Sequence, residues 1–336
     1  MTGMIRGFGF QVLASPRGAG VGYLSFLFSM AYRFFRYSTV DADVQRILSE
    51  QLEKAIYQLS EAFPMAPARA VHNARKRLKR SRSVLRLVRK SIDKATYQRE
   101  KSLLRDLGRV LAPARDAEAY QTTLVSLLET YDLTLDADGF TDLQISLADL
   151  QQERLHRLTQ SDNTIAAMVG ELKGSRARLA QLSLHKTGWE AVAKNAKRLY
   201  RQGQTRYQTA YDTGSDEAFH EWRKRVKDLW HDTRLLRQLW PPVMQAFDDE
   251  AHQLSRLLGD HNDCAELKHF LVNPPDDVVI KDVHTQVLLP LLTHRQDRLQ
   301  QQIQGLGEKL YSEKPGAFTR RLASYWQVWS REPDAL

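Results

Sequence analysis

The sequence predicts an all-α fold built from a duplicated helical unit. Three observations carry this. From Asp41 onward apolar residues recur at three- and four-residue spacing, no run shows the alternation of a strand, and one histidine-led basic motif occurs twice. With 42% hydrophobic and 26% charged residues, the 336-residue chain has the balance of a packed protein rather than of a disordered one.

Residues 1–29 hold basic and apolar residues interrupted by Gly and Pro, with no continuous apolar stretch, and read as a loose leader, with Met30 as a candidate start. Helix breaks are expected at Phe63 to Pro67, Asp136 to Gly139, Gln160 to Asn163, Thr213 to Asp216, Pro241-Pro242, Asn273 to Asp277 and Lys314 to Gly316. The intervals are of bundle length, and short turns make successive helices antiparallel neighbours.

The duplication is explicit. His72-Asn73-Ala74-Arg75-Lys76-Arg77-Leu78-Lys79 is followed by Leu111-Ala112-Pro113-Ala114-Arg115-Asp116, and His220-Glu221-Trp222-Arg223-Lys224-Arg225-Val226-Lys227 by Leu258-Gly259-Asp260-His261-Asn262-Asp263. The His-to-Asp separation is 44 residues in the first copy and 43 in the second. The halves are then 30–160 and 185–330, with 161–184 as the connection.

On a helical wheel Arg75, Lys79, Arg82 and Arg86 share a narrow sector with His72, opposite Ala74, Leu78, Leu85, Val88 and Ile92. In the second copy His220, Arg223, Lys227, His231 and Arg234 form the basic line, opposite Trp222, Val226, Leu229, Leu236 and Trp240. Like charges at i, i+3 and i+4 disfavour a helix by a few tenths of a kcal/mol per pair, so the missing counter-charge is expected from outside the chain. At about 5.4 Å per turn the stripes suit an extended line of phosphates. A third stretch, with Lys194, Lys197 and Arg201 on one face and Arg206 beyond, is expected to add to the same wall. Asp116 and Asp263 recur at matched positions and are assigned to orienting neighbouring cations or capping a helix.

Charge is concentrated. Between Arg69 and Lys101 thirteen Lys/Arg face only Asp93 and Glu100, an excess of +11 against +9 for the whole chain. Cys264 is the only cysteine, which excludes an intrachain disulfide and a multi-thiolate zinc site and fits a reducing, cytoplasmic setting. No apolar run reaches the roughly 18 residues of a membrane span.

Both copies resemble the hallmark of the CHAD family, the helical domain named for its histidines: His72-x2-Arg75-x3-Lys79-Arg80 with Leu111 through Arg115-Asp116, and His220-x2-Arg223-x3-Lys227 with Leu258-Gly259 through Asn262-Asp263. Tyr200-Arg201-Gln202-Gly203 with Arg206 resembles the start of that family's second half. The resemblance implies two pseudo-symmetric four-helix bundles around a basic central channel that binds inorganic polyphosphate without turnover or cofactor, and association with polyphosphate granules. With it the expected polyphosphate contacts extend to Lys76, Arg80 and Lys224. Two departures stand out. Asp228 takes a position where many members keep a base, an expected weakening of that wall, and Leu111-Ala112-Pro113 replaces a Leu-Gly start.

Other readings compete. Nucleic acid would also be drawn to a basic groove, but no aromatics interleave with the stripes and no helix-turn-helix signature is present. An enzyme acting on phosphoanhydrides would need metal-holding carboxylates among the cations. A metal at His72 or His220 is opposed by the surrounding positive charge. His231-Asp232 lacks the partners of a phosphohydrolase, and Asp260 to Asp263 with Cys264 reads as a helix cap. Trp222 and Trp240 are expected in the core.

Overall fold

The computed structural model describes residues 32–131, 137–160, 164–276 and 278–332; the segment read as a leader lies outside them. Among the described residues there is no strand, and eleven α-helices follow one another.

In the first half α1 (Val40–Tyr57) is capped by Thr39, whose hydroxyl accepts from the Ala42 amide at 3.2 Å, and it runs into a π-helical turn, Gln58–Ala62. Then come α2 (Pro67–Leu87), α3 (Lys94–Val110), α4 (Ala112–Thr130), α5 (Ala137–Gln160) and α6 (Thr164–Leu179). Proline in the first turn starts α2, where its missing amide costs nothing, and Asp93 caps α3 by accepting from the Thr96 amide at 2.8 Å. In the second half α7 (Glu190–Thr213) ends on Gly214, left-handed at φ 65°, and α8 (Asp216–Leu235) is capped by Ser215. After a 3-10 turn at Arg237–Leu239 follow α9 (Pro241–Val272), α10 (Asp282–Leu310) and α11 (Pro315–Trp329).

Helices α1, α2, α3 and α6 pack into one four-helix bundle, and α7, α8, α9 and α10 into another, with α11 laid on α7. Residues 161–184, read as a connection, thus contain α6, which buries Met168, Leu172 and Leu179 in the first bundle. Helices α4 and α5 form a hairpin that shares a separate apolar cluster with the adjoining ends of α9 and α10, through Leu124, Leu147, Leu267 and Leu288. The main core runs through both halves, and α2 of the first packs directly on α8 of the second.

Close approach explains two glycines. A Cβ on Gly203 would lie 2.4 Å from the Tyr311 ring, and one on Gly307 2.8 Å from Trp222. Their absence lets α10 and the residue after it seat against α7 and α8, with Tyr200 donating to the Leu310 carbonyl at 2.9 Å.

Several expectations need correction. The stripe helices end at Leu87 and Leu235, so Val88, Ile92, Leu236 and Trp240 lie beyond them. Trp222 is fully buried, but Trp240 is 49% exposed and meets Tyr325 edge-on. The chain leaves the helix after Leu87 because the Ser91 carbonyl accepts from the His185 amide at 2.7 Å and its hydroxyl donates to the Ala191 carbonyl. The Leu111-Ala112-Pro113 departure marks a break. The first copy interrupts its helix at Leu111, between α3 and α4, where the second runs unbroken through Leu258-Gly259 as α9. Asp260 to Asp263 lie inside α9, so they cap nothing.

Candidate anion-binding site

Because α2 and α8 carry the matched motifs and lie side by side, their basic faces line one cavity of about 590 Å³. From α2 it takes His72, Arg75, Lys76, Lys79, Arg82 and Arg86, and from α8 His220, Arg223, Lys224, Lys227 and His231. The remaining wall comes from α4, with Arg115, Asp116 and Tyr120, and from α9, with Asn262, Asp263 and Glu266. With Arg225, ten Lys/Arg line the cavity against three carboxylates, so its field is strongly positive.

Not every expected residue arrives there. Lys194, Lys197, Arg201 and Arg206 are exposed on α7 and do not line this cavity, so the third basic stretch adds nothing to this wall. Arg80 and Arg234 also lie off it. Conversely, Arg115, Tyr120, Arg225, Trp230, Asn262 and Glu266 line the cavity although the sequence reading did not assign them to anion binding. Arg115 and Asn262 stand one residue before the matched aspartates, and Tyr120 and Glu266 lie one turn further along the same faces, which was the available signal.

The cations are held from behind. The Arg75 guanidinium donates to the Gly108 carbonyl at 2.8 Å and lies 3.8 Å from Asp116; capping is closed to Asp116 and Asp263, both inside helices. Asp228, 1% exposed, bonds Arg86 across the two halves and lies 2.9 Å from Arg225. The residue expected to weaken the wall therefore fixes two of its arginines. The Nε atoms of Arg75, Arg82, Arg86 and Arg223 are buried without a hydrogen-bond partner. Such donors are costly unless an acceptor reaches them.

Burial, and after it charge crowding, depresses the cavity's bases. Burial, then Arg75, Arg223 and Arg115, brings Lys79 down to about 8, although the side chain still meets cavity water, which screens the effect. Its counterpart Lys227 is pushed well below the ordinary lysine range by burial, then by Arg223 and Lys79. His231 is held neutral by burial and neighbouring cations, and His72 is lowered by burial, then by Arg115. His220 bonds Asn262, the position matching Arg115. Among the described residues no three His, Cys, Asp or Glu side chains form a metal-holding group, and no helix is long and apolar enough to cross a membrane.

Trp230 and Tyr120 do line the cavity, contrary to the expectation that no aromatics interleave with the stripes. Trp230, however, is stacked by His231 at 4.8 Å and by His252 at 4.3 Å, and Tyr120 stacks on Phe270 at 4.6 Å. Both aromatics are thus already engaged in stacks within the chain.

The family model described as the CHAD domain matches residues 46–272, more than half of the chain and both copies of the motif. The chain belongs to the CHAD domain family. Two solved structures share the CHAD fold seen here. PptA from Streptomyces chartreusis is 15% identical with a TM-score of 0.57, over 82% of this chain and all of that one. The CHAD domain from the plant Ricinus communis is 16% identical with a TM-score of 0.53, over 88% of this chain and 96% of that one. No curated protein matches the chain in sequence.

Proposed function

We propose that the cavity is a channel that binds inorganic polyphosphate, without turnover, along the facing stripes of α2 and α8. The carrying observation is that two matched lines of cations face one cavity in which buried guanidinium nitrogens lack acceptors. Phosphate oxygens supply acceptors and charge together, and membership of the CHAD family supports the same ligand. Cytoplasmic polyphosphate granules are the setting this reading assigns.

Nucleic acid is the rival, and the engagement of Trp230 and Tyr120 in stacks within the chain weighs against it because single-strand binding relies on open stacking platforms. The test compares long-chain polyphosphate, tRNA and duplex DNA on the purified protein at several salt concentrations, since affinity without a stated ionic strength means little. Polyphosphate is expected to bind at least tenfold tighter near 0.15 M salt. Equal or tighter nucleic-acid binding there would overturn the proposal, and sustained phosphate release with or without magnesium would make the protein an enzyme.

A pH dependence follows from the facing lysines. Below about pH 8 Lys79 is already charged; above it, binding must take up a proton, so polyphosphate affinity falls as pH rises from about 8 towards 10. The free protein behaves oppositely. A lysine depressed in the folded state destabilises it while charged, and that penalty disappears as pH climbs towards the unfolded value near 10.4. Calorimetry in buffers of different ionisation heat reads the uptake directly. Replacing Lys79 and Lys227 by arginine is expected to flatten the profile; an unchanged slope would refute the assignment.

A further inference from the structure

The duplication can be read residue by residue across the α2–α8 contact. His72 matches His220, a shift of 148, so Arg77 matches Arg225, Arg80 matches Asp228, and Arg86 matches Arg234. On one side Asp228 joins Arg86 and Arg225 into a closed ion network. On the other, the matched positions are Arg234, Arg77 and Arg80, and the carboxylate's place is taken by a third cation.

Among the described residues no ion pair neutralises that trio. Among the described residues none of the three has a carboxylate in ion-pair distance, whereas both of their counterparts do. Arg80 is 8% exposed, and its Nε, like that of Arg77, has no hydrogen-bond partner. The compensation present is slight. Arg80 lies 5.4 Å over the Tyr32 ring, and Arg77 donates to Gln51 at 3.3 Å. Asp248, which also faces Arg234, is buried against Thr233 and makes no ion pair with it. Burial, then Arg77 and Arg234, lowers Arg80 to about 10, while Lys76, on the cavity rim, feels Arg80, Arg77 and Arg234. Arginine keeps its charge at neutral pH, so the strain is relieved only by an anion.

We propose that Arg77, Arg80 and Arg234 form a second oxyanion site, in which a phosphate group takes the place that the Asp228 carboxylate holds in the other half. Resting on the polyphosphate reading, this gives the bound chain a direction: beyond Lys76 it continues onto three arginines, and at the opposite end it meets a wall already neutralised. A phosphate group, with several oxygens, can accept from three guanidinium groups, as Asp228 accepts from two.

Two probes separate a free anion from a polymer segment: inorganic pyrophosphate and long-chain polyphosphate, each titrated against the full chain, with Tm and affinity as readouts. For Arg80→Gln the expected results are an unliganded Tm equal to or above the parent's, loss of the pyrophosphate-dependent rise in Tm, and about tenfold weaker polymer binding. Arg234→Gln, at a partly exposed position, must reproduce both losses. The proposal is overturned if both variants bind both probes within twofold of the parent, or if Arg80→Gln merely lowers Tm with binding intact, as a structural arginine would. Arg75→Gln reports on the cavity alone. If the parent ignores the polymer but loses its pyrophosphate response on Arg80→Gln, the function proposed above fails and this site stands.

Discussion

Replacing Arg75 and Lys79 together by glutamate is expected to weaken polyphosphate binding at least about 100-fold while leaving the helical signal intact. Two charge-assisted contacts contribute on the order of 1.5–3 kcal/mol each, and the new carboxylates add repulsion at the centre of the stripe. Both side chains face the cavity rather than the core, and relief of the crowding among Arg75, Lys79, Arg115 and Arg223 offsets the lost Arg75 contacts to the Gly108 carbonyl and Asp116, so the helical fold is expected to persist. The matched Arg223→Glu with Lys227→Glu is expected to do the same. Equilibrium binding beside far-UV circular dichroism decides the matter. If both double variants bind like the parent, the stripes do not hold the ligand.

Asp228→Asn acts in the opposite sense. Removing the buried carboxylate leaves Arg86 and Arg225 without their common partner, and breaking a buried ion pair from one side typically costs 3–5 kcal/mol. Their side chains are 17% and 22% exposed and so reach some water, which places the expected loss at about 3 kcal/mol, a fall in Tm of about 4 °C for a chain of 336 residues. The same change frees two cavity arginines, so polyphosphate is expected to bind severalfold tighter and to restore part of the lost Tm by mass action. A variant with the parent's Tm and affinity would show that Asp228 holds nothing in place.

The helical architecture was legible because a 3.6-residue apolar period survives even in very basic helices, as α2 shows with Ala74, Leu78 and Leu85 buried behind its stripe. Breaks were legible where Pro or Gly enforce them, at Pro67, Gly214 and Pro315. The turn after Leu87 was not, since it is held by Ser91 bonding to residues 185 and 191, a contact without local trace. The same limit applies to the site. A wheel separates buried from open faces, but not a face open to solvent from one open to a cavity. Lys197 and Lys79 look alike on it, and only the packing of α2 against α8 distinguishes them.

The pairing of Arg80 with Asp228 across the duplicated helices carries a historical consequence. Two copies of a half-length chain joined through these helices would form an isologous interface, and every substitution in it would appear twice. Position 80 would then be arginine on both sides or aspartate on both. With the halves joined in one chain, each side is free to change alone, so two unlike ends are open to it that no symmetric dimer of one short chain can build.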